Sequence, residues 1–310
     1  MSKILDRLAA GEVLVSDGAT GTYLQANGLE PGGCPEEFND THPDVVRQMA
    51  ANYFAAGSDM VETNTFGGSR YMLAKYGHGE RVEELNRKGA QLAREAAPDG
   101  SFVLGSIGPT GEFLVPNGTA TEEDMFEVFC EQVRGLVDGD VDAFCIETMS
   151  DLGETILAVK AAKETTDLPV IATMTYDRGP RGLFTMFGVT PVGAAQQLSA
   201  AGADIVGSNC GIKIEDMLEI IAQMRSATDR PILTHVNAGI PRIEDGAILY
   251  PDTPEHMASL MPKMVESGAN IIGGCCGTGP DYVRAFVQAV RPGRPVVFSE
   301  QSIPSRRSTN

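Results

Sequence analysis

The 310-residue sequence predicts a single (β/α)8 barrel of the TIM type, an α/β fold with its active site at the carboxyl ends of the strands. Two observations carry that prediction. Eight short apolar, strand-like segments alternate with amphipathic helical stretches between residues 13 and 290, which is the pattern of βαβ units around a parallel sheet. The repeat is about 35 residues per unit, ordinary for this architecture, whereas a doubly wound open sheet would use about six strands.

The strand segments are Val13–Asp17, Met60–Asn64, Phe102–Ile107, Ala143–Thr148, Val170–Thr175, Asp204–Cys210, Ile232–Asn237 and Asn270–Cys275. Helical spacing marks Val45–Ala56, Val82–Ala96, Met125–Val137, Glu154–Lys163 and Met217–Met224. Thr121 and Ser150-Asp151 are expected as helix N-caps with acidic first turns, and Pro43, Pro191, Pro254 and Pro280 suit the first helical position. Pro262 falls inside the helix that begins at Pro254 and predicts either a kink or an earlier end. No linker interrupts the pattern, so residues 1–298 are expected to be one barrel, followed by a polar, Ser/Arg-rich tail at 299–310.

Composition excludes several classes. With 24 Lys+Arg against 42 Asp+Glu the net charge is −18, the wrong sign for nucleic acid. No apolar run is long enough to span a membrane, and the charged start Met1–Arg7 offers no signal-peptide core. Six cysteines in a chain this long are not a secreted disulfide framework, and the expectation is a cytoplasmic protein. Gly277-Thr278-Gly279 precedes a helix, but Tyr282 stands where a dinucleotide fingerprint needs its third glycine; P-loop and nucleophile-elbow patterns are also missing.

Three cysteines are the sharpest signal. Cys210 ends the sixth strand and Cys275-Cys276 end the eighth, alternate barrel members whose side chains share layers. Three convergent thiolates form a soft ligand set for zinc with a fourth position open; a vicinal disulfide and simple burial are the other readings. Cys130 and Cys145 read as buried apolar residues, and Cys34 lies in an unassigned loop. Strand alternation turns Glu147 inward with Ala143 and Cys145, and Phe144 and Ile146 outward. An inward carboxylate needs a cation, either a substrate ammonium or a structural Arg or Lys, and Asp17 at the end of strand one invites the same argument. His235 shares a face with Asn237 and is expected to be a satisfied core histidine rather than an acid–base group.

The stretches Asp17–Thr22 (DGATGT), Glu62–Gly67 (ETNTFG), Ile107–Glu112 (IGPTGE), Asn237–Pro241 (NAGIP) and Gly273–Thr278 (GGCCGT) resemble, in that order, the zinc-dependent homocysteine S-methyltransferase family. The likeness is strongest to the homocysteine module of cobalamin-dependent methionine synthase and to bacterial betaine–homocysteine methyltransferases. It covers about residues 12–290. The resemblance implies a Zn2+ ion held by Cys210, Cys275 and Cys276 and a homocysteine ammonium held by Asp17 and Glu147. It further implies a substrate carboxylate on backbone amides around Ala19 and Thr20, and Asn237 as a group able to enter the metal site in the absence of substrate. The expected product is methionine. The folate and cobalamin modules of the synthase are not in the sequence, so the expected methyl donor is a small onium compound such as betaine or a methyl-corrinoid on a separate protein. Phe66, Phe113, Phe184 and Phe187 are candidate aromatic contacts for an onium. The alternatives are a zinc methyltransferase for a different thiol and a non-catalytic, zinc-stabilised binding barrel with its fourth ligand closed by Asn237 or His235.

Overall fold

All eight strands form at the expected places: β1 Leu14–Val15, β2 Met60–Glu62, β3 Phe102–Ile107, β4 Ala143–Met149, β5 Val170–Met174, β6 Ile205–Asn209, β7 Ile232–Val236 and β8 Ile271–Gly274. The computed structural model describes residues 3–244 and 247–293, so the tail expected at 299–310 lies outside the described residues. The strands are parallel in the order β1-β8-β7-β6-β5-β4-β3-β2, a nearly closed barrel.

The seam between β1 and β2 closes through carboxylates rather than a regular ladder. Asp59 N–H donates to the Val15 carbonyl at 2.7 Å, and the Asp59 side chain accepts the Val15 N–H at 2.8 Å. One step further along, Glu62 N–H donates to Asp17 Oδ2 at 2.8 Å. Asp59 is pinned by Arg7 at 3.0 Å and Arg291 at 2.6 Å, and Arg291 also donates to the Val13 carbonyl.

Alternation sorts the strand residues as expected. Ala143 and Cys145 join Leu14, Met60, Leu104, Ile171, Ile205, Leu233 and Ile271 in an inner cluster, whereas Phe144 and Ile146 pack in the outer layer with the helices. Ile4 and Leu8 of a helix at Lys3–Ala9, not anticipated from the sequence, complete the inner cluster. Helix Val82–Ala96 has the predicted bounds; Pro43–Ala55, Glu122–Asp138, Leu152–Thr165 and Ile214–Arg225 extend the predicted ones by a few residues. Thr121 and Asp151 cap their helices, and the four named prolines open theirs. Pro262 does not end its helix, which runs Pro254–Glu266; the proline faces solvent, where water can satisfy the carbonyl it leaves unpaired. Two three-residue antiparallel ribbons, Asp177–Gly179 with Gly182–Phe184 and Arg242–Glu244 with Ala247–Leu249, follow β5 and β7.

Replacing Asp59 by Ala is expected to lower unfolding free energy by roughly 2–4 kcal/mol, since it removes a buried partner from two part-buried guanidinium groups, Arg7 and Arg291, and leaves the Val15 N–H unpaired. An unchanged denaturant midpoint would show that the seam closes without it.

Candidate active site

The strand ends bring the three predicted thiols together. The Sγ atoms of Cys210, Cys275 and Cys276 lie within 4.8 Å of one another, with Cys210 and Cys276 3.9 Å apart, and none is in a disulfide. Backbone bonds fix their approach: Cys210 N–H donates to the His235 carbonyl at 3.1 Å and Cys275 N–H to the Val236 carbonyl at 2.7 Å. Cys210 adopts a left-handed backbone with φ +60°, uncommon for a residue with a side chain and stored here at the end of β6. The trio behaves as one polyprotic acid. Hydrogen bonds from Cys275 and Cys276 pull Cys210 down to about 3, while the charge at Cys210 and burial push Cys276 up to about 12 and Cys275 well above its ordinary value. A divalent cation reverses that resistance, because coordinated thiols are deprotonated. Three soft donors at this spacing fit such an ion, and the cysteines line an open cavity rather than a closed shell.

Of the two predicted carboxylates, Glu147 lines the same cavity as the thiols, whereas Asp17 is buried next to the wall residues Gly18 and Glu62 and does not itself line it. Asp17 accepts hydrogen bonds from Glu62 N–H and from Ser16 Oγ at 3.0 Å. Glu147 accepts from Ser106 Oγ at 2.6 Å and from Asn209 Nδ2 at 3.3 Å. Both are buried, and burial lifts each to about 7. No Lys or Arg lines the cavity among the described residues, so the structural-cation explanation of these acids has no candidate there. The cavity measures about 380 Å³ and carries Glu147 and all three cysteines on its wall; Phe66 and Tyr76 line it as well.

The other predicted residues are placed unevenly. Asn237 is buried beside the thiols: its Oδ1 accepts the Cys276 N–H at 3.1 Å, and its amide hydrogen-bonds to Cys210. Thr20 lines the cavity at the start of helix Thr20–Ala26, but the Ala19 N–H is committed to the Thr278 carbonyl at 2.9 Å and is not available to a substrate. His235 is not the satisfied core residue expected: among the described residues its Nε2 has no hydrogen-bond partner, and Nδ1 is 3.6 Å from Glu62 Oε1. Burial holds its pKa down to about 4, so it is neutral. Of the four phenylalanines only Phe66 lines the cavity; Phe113 and Phe187 pack on each other at 5.7 Å, and Phe184 lies under Arg181.

Sequence reasoning passed over three residues. Asn209 reaches Glu147, Thr148 Oγ1 at 2.6 Å and Cys275 Sγ at 3.9 Å, tying carboxylate to thiol. Ser106 orients Glu147, and Glu62 is a further buried carboxylate on the cavity wall, which Glu36 also lines. Alternation was the available signal, since 62, 106 and 209 are inward positions near their strand ends.

The homocysteine S-methyltransferase family model matches residues 14–290. The chain belongs to that family. It is 35% identical to methionine synthase of Mycobacterium tuberculosis, an alignment covering 97% of this chain and 27% of the relative. It is 30% identical to rat betaine–homocysteine S-methyltransferase 1, over 94% of this chain and 75% of that protein. The chain thus spans only about a quarter of the methionine synthases it matches. The metallated form of the Escherichia coli homocysteine methyltransferase MmuM superposes with a TM-score of 0.77 at 22% identity, over 91% of this chain and 98% of MmuM. That match supports the barrel fold.

The raised carboxylates give this family member a pH signature. A group whose pKa is raised on folding stabilises the fold at low pH and loses that contribution as pH climbs through the folded value. The metal-free, ligand-free protein is therefore expected to lose on the order of a few kcal/mol between about pH 4 and pH 8, with Glu147→Gln flattening the profile. Denaturant titrations in chelator across that range check it, and a profile unchanged by the substitution would remove Glu147 as a source.

Proposed function

We propose that this chain transfers a methyl group to the thiol of homocysteine and releases methionine, with a zinc ion held by Cys210, Cys275 and Cys276. The observation carrying this reading is the convergence of three thiols and the buried Glu147 carboxylate on one cavity, with Asp17 buried next to its wall. Zinc bound by three thiolates would deprotonate a substrate thiol at neutral pH while leaving its sulfur electron-rich.

The chain's own residues then set the geometry. Glu147, held by Ser106 and Asn209 on the cavity wall, receives the ammonium, and the charge of Asp17, buried beside the wall residues Gly18 and Glu62, supports it from close by. Thr20 and the first turn of its helix stand where the carboxylate end would lie, without Ala19. Holding the amino acid at one end and its sulfur at the other aims the sulfur at a methyl carbon. A C–S bond forms, the bond from methyl to donor breaks, and the leaving group departs with that electron pair. Asn237 and Asn209 hydrogen-bond the ligating sulfurs and keep the trio oriented.

For the donor, two classes fit the family: an onium such as betaine, as in the name of the rat relative, and a methyl-corrinoid carried by a separate protein. Phe66 and Tyr76, both on the cavity wall, favour the onium. The paired carboxylates favour an amino-acid thiol over a simple alkanethiol. A binding-only barrel would need its fourth ligand closed by His235 or Asn237; His235 is directed to Glu62, and Asn237 spends its Oδ1 on the Cys276 N–H and its amide on Cys210.

Zinc-edge X-ray absorption is expected to show three sulfurs and one lighter ligand, changing to four sulfurs with homocysteine. A coordination sphere indifferent to the thiol would overturn the proposal. Cys210→Ala should abolish stoichiometric zinc, and retention of the metal with unchanged coordination would refute the ligand set. Glu147→Ala should weaken homocysteine binding roughly 10- to 100-fold by calorimetry while leaving zinc in place.

A further inference from the structure

Glu62 is a buried acid that the mechanism above does not use. It lies at the end of β2 on the cavity wall, packed against Asp17 from β1, Cys145 and Glu147 from β4, and His235 from β7. Glu62, Glu147 and Asp17 therefore crowd together, the two glutamates on a cavity wall that also carries Glu36 and has no lysine or arginine among the described residues. His235 supplies no positive charge, being neutral and 3.6 Å away.

The distribution of donors separates the three acids. Asp17 takes a main-chain N–H and a serine hydroxyl; Glu147 takes a serine hydroxyl and an asparagine amide. Glu62 receives only the weak donation of the buried Cys145 thiol, and its Oε1 has no hydrogen-bond partner among the described residues. Yet the Glu62 side chain is in hydrogen-bond contact with that of Glu147. Two carboxyl groups so placed must share a proton, and it belongs on the partner whose anion is poorly met.

We propose that Glu62 is a positioning residue that stays a neutral carboxylic acid and donates its proton to Glu147, so that Glu147 keeps the charge of this pair for the substrate ammonium. The proposal rests on the reading of this cavity as a site for an amino-acid ammonium. Burial and the neighbouring charges of Glu147 and Asp17 push Glu62 in the direction this role needs. The neutral acid braces Glu147 from below while Ser106 and Asn209 hold its other edges.

The test is spectroscopic first. Infrared difference spectra of the zinc-loaded, homocysteine-saturated protein against Glu62→Gln at neutral pH should show a protonated-carboxyl carbonyl band in the native protein that the variant lacks. No band, or one that survives the substitution, overturns the proposal. In calorimetry, Glu62→Leu should weaken homocysteine roughly tenfold and Glu62→Gln, whose amide can still donate to Glu147, should recover most of that loss. A glutamine variant as weak as the leucine one would mean that Glu62 acts as an anion, and the proposal falls. Should the leucine variant fail to fold, the infrared comparison decides alone. Should the native protein not bind homocysteine, the proposed function fails separately. The band is then sought in the thiol-free protein at a pH about two units above the Asp17 and Glu147 values, where Glu62, but neither of those two, would keep its proton, and Glu62→Gln again identifies the band as its own.

Discussion

The interior of this barrel holds more acid than it can carry unaided. Three thiols and three carboxyl groups converge near the carboxyl ends of the strands, and no fixed cation lines their cavity among the described residues. Left alone, most of these groups stay protonated, at a cost in hydrogen bonding and in pH tolerance. The proposed occupants, a divalent metal and an ammonium, are the charges this enclosure is short of. Affinity for both follows from the same deficit, and the surrounding serine and asparagine side chains direct it without cancelling it.

Making room for this chemistry constrains the barrel wall. Gly273 in β8 cannot carry a side chain, since a Cβ there would come within 2.7 Å of the His235 ring, and the adjacent Gly274 would meet Thr278 Oγ1 at 2.1 Å. Cys210 and Thr148 end β6 and β4 in the left-handed conformation, Thr148 with φ +58°. These two strand ends present a thiol and the Asn209–Glu147 contact to the cavity, and the hydrogen bonds around Asn209 stabilise the turn: its Oδ1 accepts from Thr148 N–H at 2.8 Å and from Thr173 Oγ1 at 2.7 Å. Local strain is thus held by the same side chain that orients the site.

Much of this was legible in the chain because a parallel barrel leaves strong marks: Val170–Met174 and Phe102–Ile107 are apolar on both faces, and Thr121, Asp151 and four prolines punctuate the helices. Period-two alternation carried Glu147 and Cys145 inward. It failed at the details set by long-range contact. Ala19, expected to offer its amide to a substrate carboxylate, has that N–H spent on Thr278 across 259 residues of chain. His235 was read by its type, whereas its surroundings, Gly273 on one side and Glu62 on the other, are assembled from β8 and β2. The two exposed ribbons after β5 and β7 are too short for alternation to register.

The carboxylate seam between β1 and β2 has a mechanical meaning. Asp17 Oδ2 is a stitch holding the hoop closed, through Glu62 N–H, and on the proposed function the same carboxyl is one of the two acids whose charge meets the substrate ammonium. In the ligand-free protein a proton relieves the buried charge at this stitch; an ammonium would relieve it instead. Filling the cavity would then stiffen the first and second strands against local opening. Occupancy and closure of the hoop would be coupled through one carboxyl group.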